Sequence, residues 1–331
     1  MRFYRVYGRF SEPVRFRGYT GFMVRGVIGA SLRSLYCVRG GGFKCQDCEL
    51  ILDCPYGFLF ELSSRCVAPL DFKPKSCSVG VSRPYTVEPL NVKSGVYLFF
   101  GFNVFGWRTL RFEIPIVLGL ASTGNHGLGG RRVKFTIDRI SVYDPYYGEE
   151  WDVHTKTYGF KYQREPVKYD VMDYVWRKAR VILESEPQEL TIEFLTPTKI
   201  RTSGRTRYDI SFRSLLAAIA RRYTILSLYY DFGKPLSTLE VKRLLTKAPS
   251  FTELYRVDVR VWRLSKYSIE YECKRYLGEY ITGKLTYKIN KVFWKTSESE
   301  LAAKLLVLGE LFNIGNMASA GLGKYRIHIT V

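Results

Sequence analysis

The sequence predicts an α+β protein of two tandem ferredoxin-like (RRM-like) domains, each ending in a glycine-rich loop and a final strand. Three observations lead there. The chain has 331 residues, about twice the length of an ordinary domain. A glycine motif occurs twice, as Gly124-Asn125-His126-Gly127-Leu128-Gly129-Gly130-Arg131-Arg132 and as Gly315-Asn316-Met317-Ala318-Ser319-Ala320-Gly321-Leu322-Gly323-Lys324-Tyr325. Each copy reads Gly-Asn, then Gly-Leu-Gly, then a basic residue, and each has a helical pattern before it and a strand-like alternation after it.

Residues 3–10 alternate as a strand and run past Pro13 and Gly18 into a helical stretch at 22–36. A helix is expected at 112–121 before the first glycine motif, and a strand at 133–142 after it. The second half begins the same way, with alternation at 190–195, then Pro197, Gly204 and a helical run at 212–230. It ends with a helix at 298–312 and a strand at 325–331. Strand, helix, further strands, helix and last strand is the ferredoxin-like order. The expected domains are 1–148, with a cysteine-containing insertion at 37–54, and 190–331, with its glycine loop at 315–324. A connecting segment at 149–189 joins them, and within it 169–184 looks helical. Asp209 or Ser211 is placed to cap the helix at 212–230, whose Leu215, Ile219 and Tyr223 share one core-facing side. In the last helix Leu301, Leu305, Leu308 and Phe312 repeat that pattern, with Ser297 and Glu300 at capping-box spacing.

With 46% hydrophobic residues, 25 Tyr and 21 Phe, the chain is too rich in core formers for disorder. Its formal charge of +20, from 51 basic and 31 acidic residues, opposes compaction and points to a polyanionic partner. Basic residues alternate with aromatic ones at Tyr158-Gly159-Phe160-Lys161-Tyr162 and Lys274-Arg275-Tyr276, which suits phosphate neutralisation and base stacking. A generally basic surface of the thermophile kind is the alternative reading. No apolar run approaches the ~20 residues of a membrane span or forms a secretory leader, so a cytoplasmic location and no membrane partner are expected.

Clustered glycines allow positive φ and remove side chains, so their N–H groups can converge on an anion. Arg131, Arg132 and Lys324 add charge beside them. The spacing is not a nucleotide-binding P-loop, because no Gly-Lys-Ser/Thr opens a helix here, and a strand follows instead. A dinucleotide site is excluded on the same ground.

Seven cysteines cannot all pair within one chain. Cys37, Cys45, Cys48 and Cys54 are spaced to close a tetrahedral structural zinc site, with an iron–sulfur cluster or reduced thiols as alternatives. Four protein ligands would leave no open position for catalytic zinc. Cys66, Cys77 and Cys273 read as buried thiols, with a Cys66–Cys77 disulfide as the alternative.

Several segments together resemble the CRISPR-associated repeat endoribonucleases of the repeat-associated mysterious protein (RAMP) superfamily. They are Arg25-Gly26 and Leu32, Cys54-Pro55-Tyr56-Gly57-Phe58-Leu59-Phe60-Glu61, Phe194-Leu195-Thr196-Pro197-Thr198, Lys266-Tyr267-Ser268, and Gly321-Leu322-Gly323-Lys324-Tyr325. The resemblance implies metal-independent cleavage of CRISPR repeat RNA by its own 2′-hydroxyl, leaving a cyclic phosphate and a free 5′-hydroxyl. It implies no cofactor for catalysis, repeat RNA as partner, and further CRISPR effector subunits as partners; a homodimer is allowed. Relatives carry His and Lys at the start of the terminal loop, where this chain has Asn313 and Asn316. That departure favours a second reading, a non-catalytic repeat-RNA holder or structural subunit. A third is a zinc-stabilised interaction module.

Three histidines exist. His126, among glycines and next to Arg131 and Arg132, is the general-base candidate; His154 is expected to be solvated, and His328 to point away from the face of Ile327 and Ile329. Arg25, Tyr36, Lys199, Arg201, Arg205 and Tyr267 lie in segments matching the family, and are expected at backbone contacts and transition-state charge. Tyr36 and Tyr267 join His126 as catalytic candidates, and Gly315, Asn316, Gly321, Gly323 and Lys324 complete the expected RNA-binding set.

Overall fold

The computed structural model describes residues 1–39, 44–62, 82–90, 94–161, 171–202, 205–206, 208–268 and 273–330. The chain divides into two compact units, Met1–Tyr169 with Ile225–Lys234, and Asp170–Thr224 with Pro235–Val331.

In the first unit β1 (Arg2–Arg15) is followed by α1 (Gly21–Tyr36), β2 (Tyr85–Glu88), β3 (Ser94–Val104), α2 (Glu113–Ala121) and β4 (Phe135–Tyr143). Its sheet runs β2-β3-β1-β4 and is extended by β5 (Glu150–Thr155) and β6 (Gly159–Phe160). The second unit opens with α3 (Val171–Ser185), then β7 (Glu189–Thr198), the short pair β8 (Arg201–Thr202) and β9 (Arg205–Thr206), α4 (Phe212–Tyr230) and α5 (Thr238–Lys247). It continues through β10 (Thr252–Ser268), β11 (Cys273–Ile289), α6 (Ser299–Phe312) and β12 (Tyr325–Thr330), in a sheet ordered β10-β11-β7-β12. Within each unit, the four core strands therefore lie in the order second, third, first, fourth, with antiparallel neighbours throughout. This is the ferredoxin-like arrangement, present twice as the repeated motif predicts.

Period-two burial builds each sheet face. Tyr4, Val6 and Phe10 of β1 and Leu98, Phe100 and Phe102 of β3 are buried against Val24, Ile28 and Leu32 of α1 and Ile116, Val117 and Leu120 of α2. In the second unit Leu190, Ile192 and Phe194 line the inner face, with Leu215, Ile219 and Tyr223 of α4 and Leu305, Leu308 and Phe312 of α6 also buried. Ser211 is the residue that caps α4, its hydroxyl accepting from Ser214 N–H at 3.2 Å.

Two local expectations are corrected. The capping box is not at Ser297 and Glu300: α6 has Glu298 at its N-cap without a side-chain bond. The box belongs to α5, where Ser237 and Glu240 satisfy each other's backbone N–H at 3.1 and 3.0 Å. The segment expected to be a connector is divided between the units. Residues 150–155 extend the first sheet, and α3 packs on α6, with Lys304 Nζ 3.8 Å from the Trp176 ring centroid. An amphipathic helix with Val175, Ala179 and Ile182 buried is core, which explains its cohesion with the second unit.

Among the described residues, no helix is long and apolar enough to cross a membrane. Cys273 is exposed rather than buried, because it sits where β11 has left the rest of the sheet; Cys66 and Cys77 lie outside the described residues.

The first glycine motif contains both packing and spare glycines. A Cβ on Gly124 would lie 1.9 Å from Phe135 O, whereas one on Gly130 meets nothing within 4 Å. Gly124→Ala is therefore expected to cost about 1–3 kcal/mol or more, and Gly130→Ala to stay within about 0.5 kcal/mol, as read from urea unfolding midpoints. Equal effects at the two positions would contradict this packing.

Candidate nucleic-acid interface

The two glycine motifs occupy equivalent places, between the second helix of a unit and its last strand, but they fold differently. In the second unit α6 ends at Phe312, whose carbonyl accepts Arg222 Nε at 2.9 Å. A buried guanidinium at a helix C-terminus complements the helix dipole. The chain then turns through positive φ at Asn313, Gly315, Met317, Gly321 and Gly323, with Ile314, Ala318, Ala320 and Leu322 buried as anchors. Asn tolerates positive φ better than most side chains, and the Asn313 amide also donates to Leu322 O at 3.2 Å.

β7 holds this loop. Lys199 O accepts Asn316 N–H at 2.9 Å, and Pro197 O accepts Gly323 N–H at 3.2 Å. Thr196 Oγ1 donates to Gly321 O and accepts Lys324 N–H, both at 2.9 Å. A Cβ on Gly315 would stand 2.5 Å from Lys199 O, and one on Gly323 1.7 Å from Ile314 O. Gly321 and Gly323 are buried, and their N–H groups serve Ala318 O and Pro197 O. These two glycines thus permit close packing instead of opening amides to an anion. The rim left to solvent is Gly315, exposed, with Asn316, Met317, Ser319 and Lys324 half-exposed.

Lys199 and Arg201 follow β7 directly, and their side chains diverge. Arg201 is exposed. Lys199 is 7% exposed, donates Nζ to Leu277 O at 3.1 Å, and lies 5.3 Å from the Tyr280 ring centroid. Burial, then Arg201, pulls its ammonium below the usual lysine range. It fastens β11 instead of facing a ligand. Arg205 pairs with Thr202 through its backbone. Tyr267 is 65% exposed near the end of β10.

In the first unit the motif closes as a turn, with Leu128 and Val133 exchanging N–H···O bonds at 3.0 Å and Arg132 at φ +50°. Arg131 and Arg132 are exposed at its tip, Arg131 lying 3.6 Å from the equally accessible Glu12. His126 is half-exposed at the base, its N–H donated to Thr123 O at 3.1 Å. Burial, Lys134 and Arg132 together hold its imidazole below 6.5, so it is neutral near pH 7 and able to accept a proton. A neutral base beside three cations is suited to a phosphodiester.

Other candidates in this unit are not brought to that cluster. Gly129 packs against Phe16, before α1 begins, whereas Tyr36 ends the 16-residue helix, which spans about 24 Å. Burial raises the Tyr36 phenol, so it stays protonated. Arg25, expected at RNA, instead donates Nε to buried Tyr85 OH at 3.0 Å and lies over Phe60. His154, expected to be solvated, is partly covered, and burial lowers its pKa. His328 does face solvent, hydrogen-bonded to Glu193 at 2.7 Å.

Among the described residues no group of three or more His, Cys, Asp or Glu side chains is placed to hold a metal ion. The zinc expectation is thus not met, although all four cysteines are described. Cys54 Sγ accepts from Gly57 N–H at 3.4 Å, and burial raises the Cys45 thiol. The spacing suits zinc, but the thiols do not converge on one point.

Sequence reading missed Arg222, Thr196 and Asn313 as loop-fixing residues. Only Thr196 carried a signal, as part of the quoted Leu195-Thr196-Pro197-Thr198 segment.

A family model described as CRISPR-associated endoribonuclease Cas6 matches residues 192–325, and another described as an N-terminal domain matches residues 1–163. No curated protein matches the sequence. Among solved structures, a Cas6 in a product complex shares 16% identity over 99% of both chains with a TM-score of 0.57. A Thermus thermophilus Cas6 shares 14% over 99% of both, with a TM-score of 0.50. A partial Cas6-RT-Cas1–Cas2 complex shares 12% over 100% of this chain and 46% of that one, with a TM-score of 0.53. At these identities the structures establish a shared fold.

Thr196→Val keeps the side-chain shape but leaves Gly321 O and Lys324 N–H without their partner. The expected loss is about 1–3 kcal/mol in denaturant unfolding, with Thr196→Ser close to wild type. A neutral Thr196→Val would mean that the loop is held some other way.

Proposed function

We propose that this chain, a CRISPR-associated protein of the Cas6 and RAMP type, binds the repeat of a CRISPR precursor RNA and cuts it without a metal ion in the chemistry. The observation that carries this reading is the Cas6 family match over residues 192–325, which ends on the close-packed terminal loop. In the proposed step a base removes the proton of the substrate's 2′-hydroxyl. That oxygen bonds to the adjacent phosphorus, the bond from phosphorus to the 5′-oxygen breaks, and the leaving oxygen takes up a proton. The products are a 2′,3′-cyclic phosphate and a 5′-hydroxyl.

His126 fits the base best, being neutral near pH 7, partly open to solvent and flanked by Arg131, Arg132 and Lys134. The arginines would stabilise charge on the phosphorane-like transition state. A raised phenol pKa suits Tyr36 to donating rather than accepting a proton, but its distance along α1 separates it from His126. In the second unit the rim of Gly315, Asn316 and Lys324, with Arg201 nearby, would contact the sugar–phosphate backbone. Other CRISPR subunits are the further partners proposed.

The second reading, a non-catalytic repeat-RNA binder, is favoured by one observation: Asn313, where relatives carry a proton-transfer residue, commits its amide to Leu322 O. Incubating the full chain with repeat RNA in excess chelator separates the two. Cleavage to cyclic-phosphate ends is expected, and His126→Ala should slow the single-turnover rate about 10²–10⁴-fold with little change in affinity. Because His126 titrates below its ordinary 6.5, the rate should fall only as pH drops beneath that value, when the imidazole becomes protonated. Tight, salt-sensitive binding with no product at any pH would establish the second reading.

A further inference from the structure

The two edges of the second unit's sheet are treated differently. β12 is six residues long, and the Glu310 carboxylate accepts Ile327 N–H on it at 2.6 Å. β10 is 17 residues long and lies at the opposite edge. Its pairing with β11 is regular from Arg256 to Leu264, between irregularities at Leu254/Arg256 and Leu264/Ser265. Proline, lysine and a mid-strand bulge, the usual guards of an edge, are all missing from 256–263.

Both faces of this stretch are open. Val257 is 45% exposed, Val261 48% and Trp262 45%, and Arg256, Asp258, Arg260 and Arg263 are exposed. The valines lie opposite Leu285, Gly283 and Ile281 on β11, and Leu285 and Ile281 are fully or almost fully buried. An apolar stripe thus continues the core face outward to the sheet edge and stops there.

We propose that β10 is the contact surface of a symmetric homodimer, pairing antiparallel with β10 of a second copy about a two-fold axis at Val259. The occupant follows from charge complementarity. In that register Val259 meets Val259, Val257 meets Val261, Asp258 meets Arg260 and Arg256 meets Trp262, each unlike pair occurring twice. Valine joins valine on one face, while the other carries two ion pairs and two cation–π pairs. Shifting the axis to residue 258 sets Asp258 against itself and Arg256 against Arg260. Shifting it to residue 260 sets Arg260 against itself. Since a sheet register must keep like faces together, the charges select the Val259 register. A two-fold contact of this kind is self-complementary and closes at two copies, uniting two four-stranded sheets.

The test is sedimentation velocity on the RNA-free full chain, with folding checked by circular dichroism. Wild type is expected to be a dimer. Asp258→Arg and Arg260→Asp each put two like-charged pairs across the axis and should raise the dimer dissociation constant at least about tenfold. The double exchange, Asp258→Arg with Arg260→Asp, restores unlike pairs and should return it to within about threefold of wild type. Val259→Lys, exposed and remote from the core, should give a monomer. A monomeric wild type, single variants that dimerise as tightly as wild type, or a folded double exchange that stays monomeric would overturn the proposal.

Discussion

A chain can pass within van der Waals distance of its own backbone only where no Cβ intervenes, and the end of the second unit is organised around two such contacts. Gly315 sits against Lys199 O and Gly323 against Ile314 O, at separations no side chain could share. These contacts lock the terminal loop to β7, and Thr196, Pro197 and Lys199 complete the attachment through hydrogen bonds. The loop is consequently part of the packed interior on one side and an accessible rim on the other. A rim held this way is pre-ordered, so binding a sugar–phosphate strand would require little further loss of chain entropy.

The duplicated fold assigns different tasks to equivalent positions. In the first unit the glycine turn presents arginines and a neutral imidazole, a combination suited to proton transfer beside an anion. In the second the corresponding loop offers backbone and small polar groups, with its asparagine committed internally. Contact with RNA and chemistry on it therefore depend on separate residues. This explains how a chain of this fold could retain binding while its catalytic capacity varied.

Patterns that depend on neighbours in sequence were legible before any coordinates. Helical and strand periodicity located all four helices of the two repeats to within a residue or two, Ser211 was a named cap, and the doubled glycine motif placed the loops. What escaped were contacts between residues far apart in sequence. Arg222 reaches Phe312 across 90 positions, and Arg25 meets Tyr85 across 60. A sequence shows that Arg25 is basic, not that a buried phenol stands beside it. The four cysteines illustrate a related limit, since spacing fixes how near ligands can come but not where their sulfurs point. Ser297 and Glu300 had the right spacing for a capping box as well, but the helix starts one residue away from the register that would use them.

The most direct measurement is amide hydrogen exchange on the full chain with and without saturating repeat RNA. Exchange should slow at 315–319 and at 129–132, the accessible parts of the two glycine segments. Amides at 321–324, already donated within the fold, should exchange slowly in both states. Saturated RNA binding that leaves 315–319 and 129–132 unchanged, or fast exchange at 321–324 in the free protein, would contradict a pre-ordered loop with an RNA-facing rim.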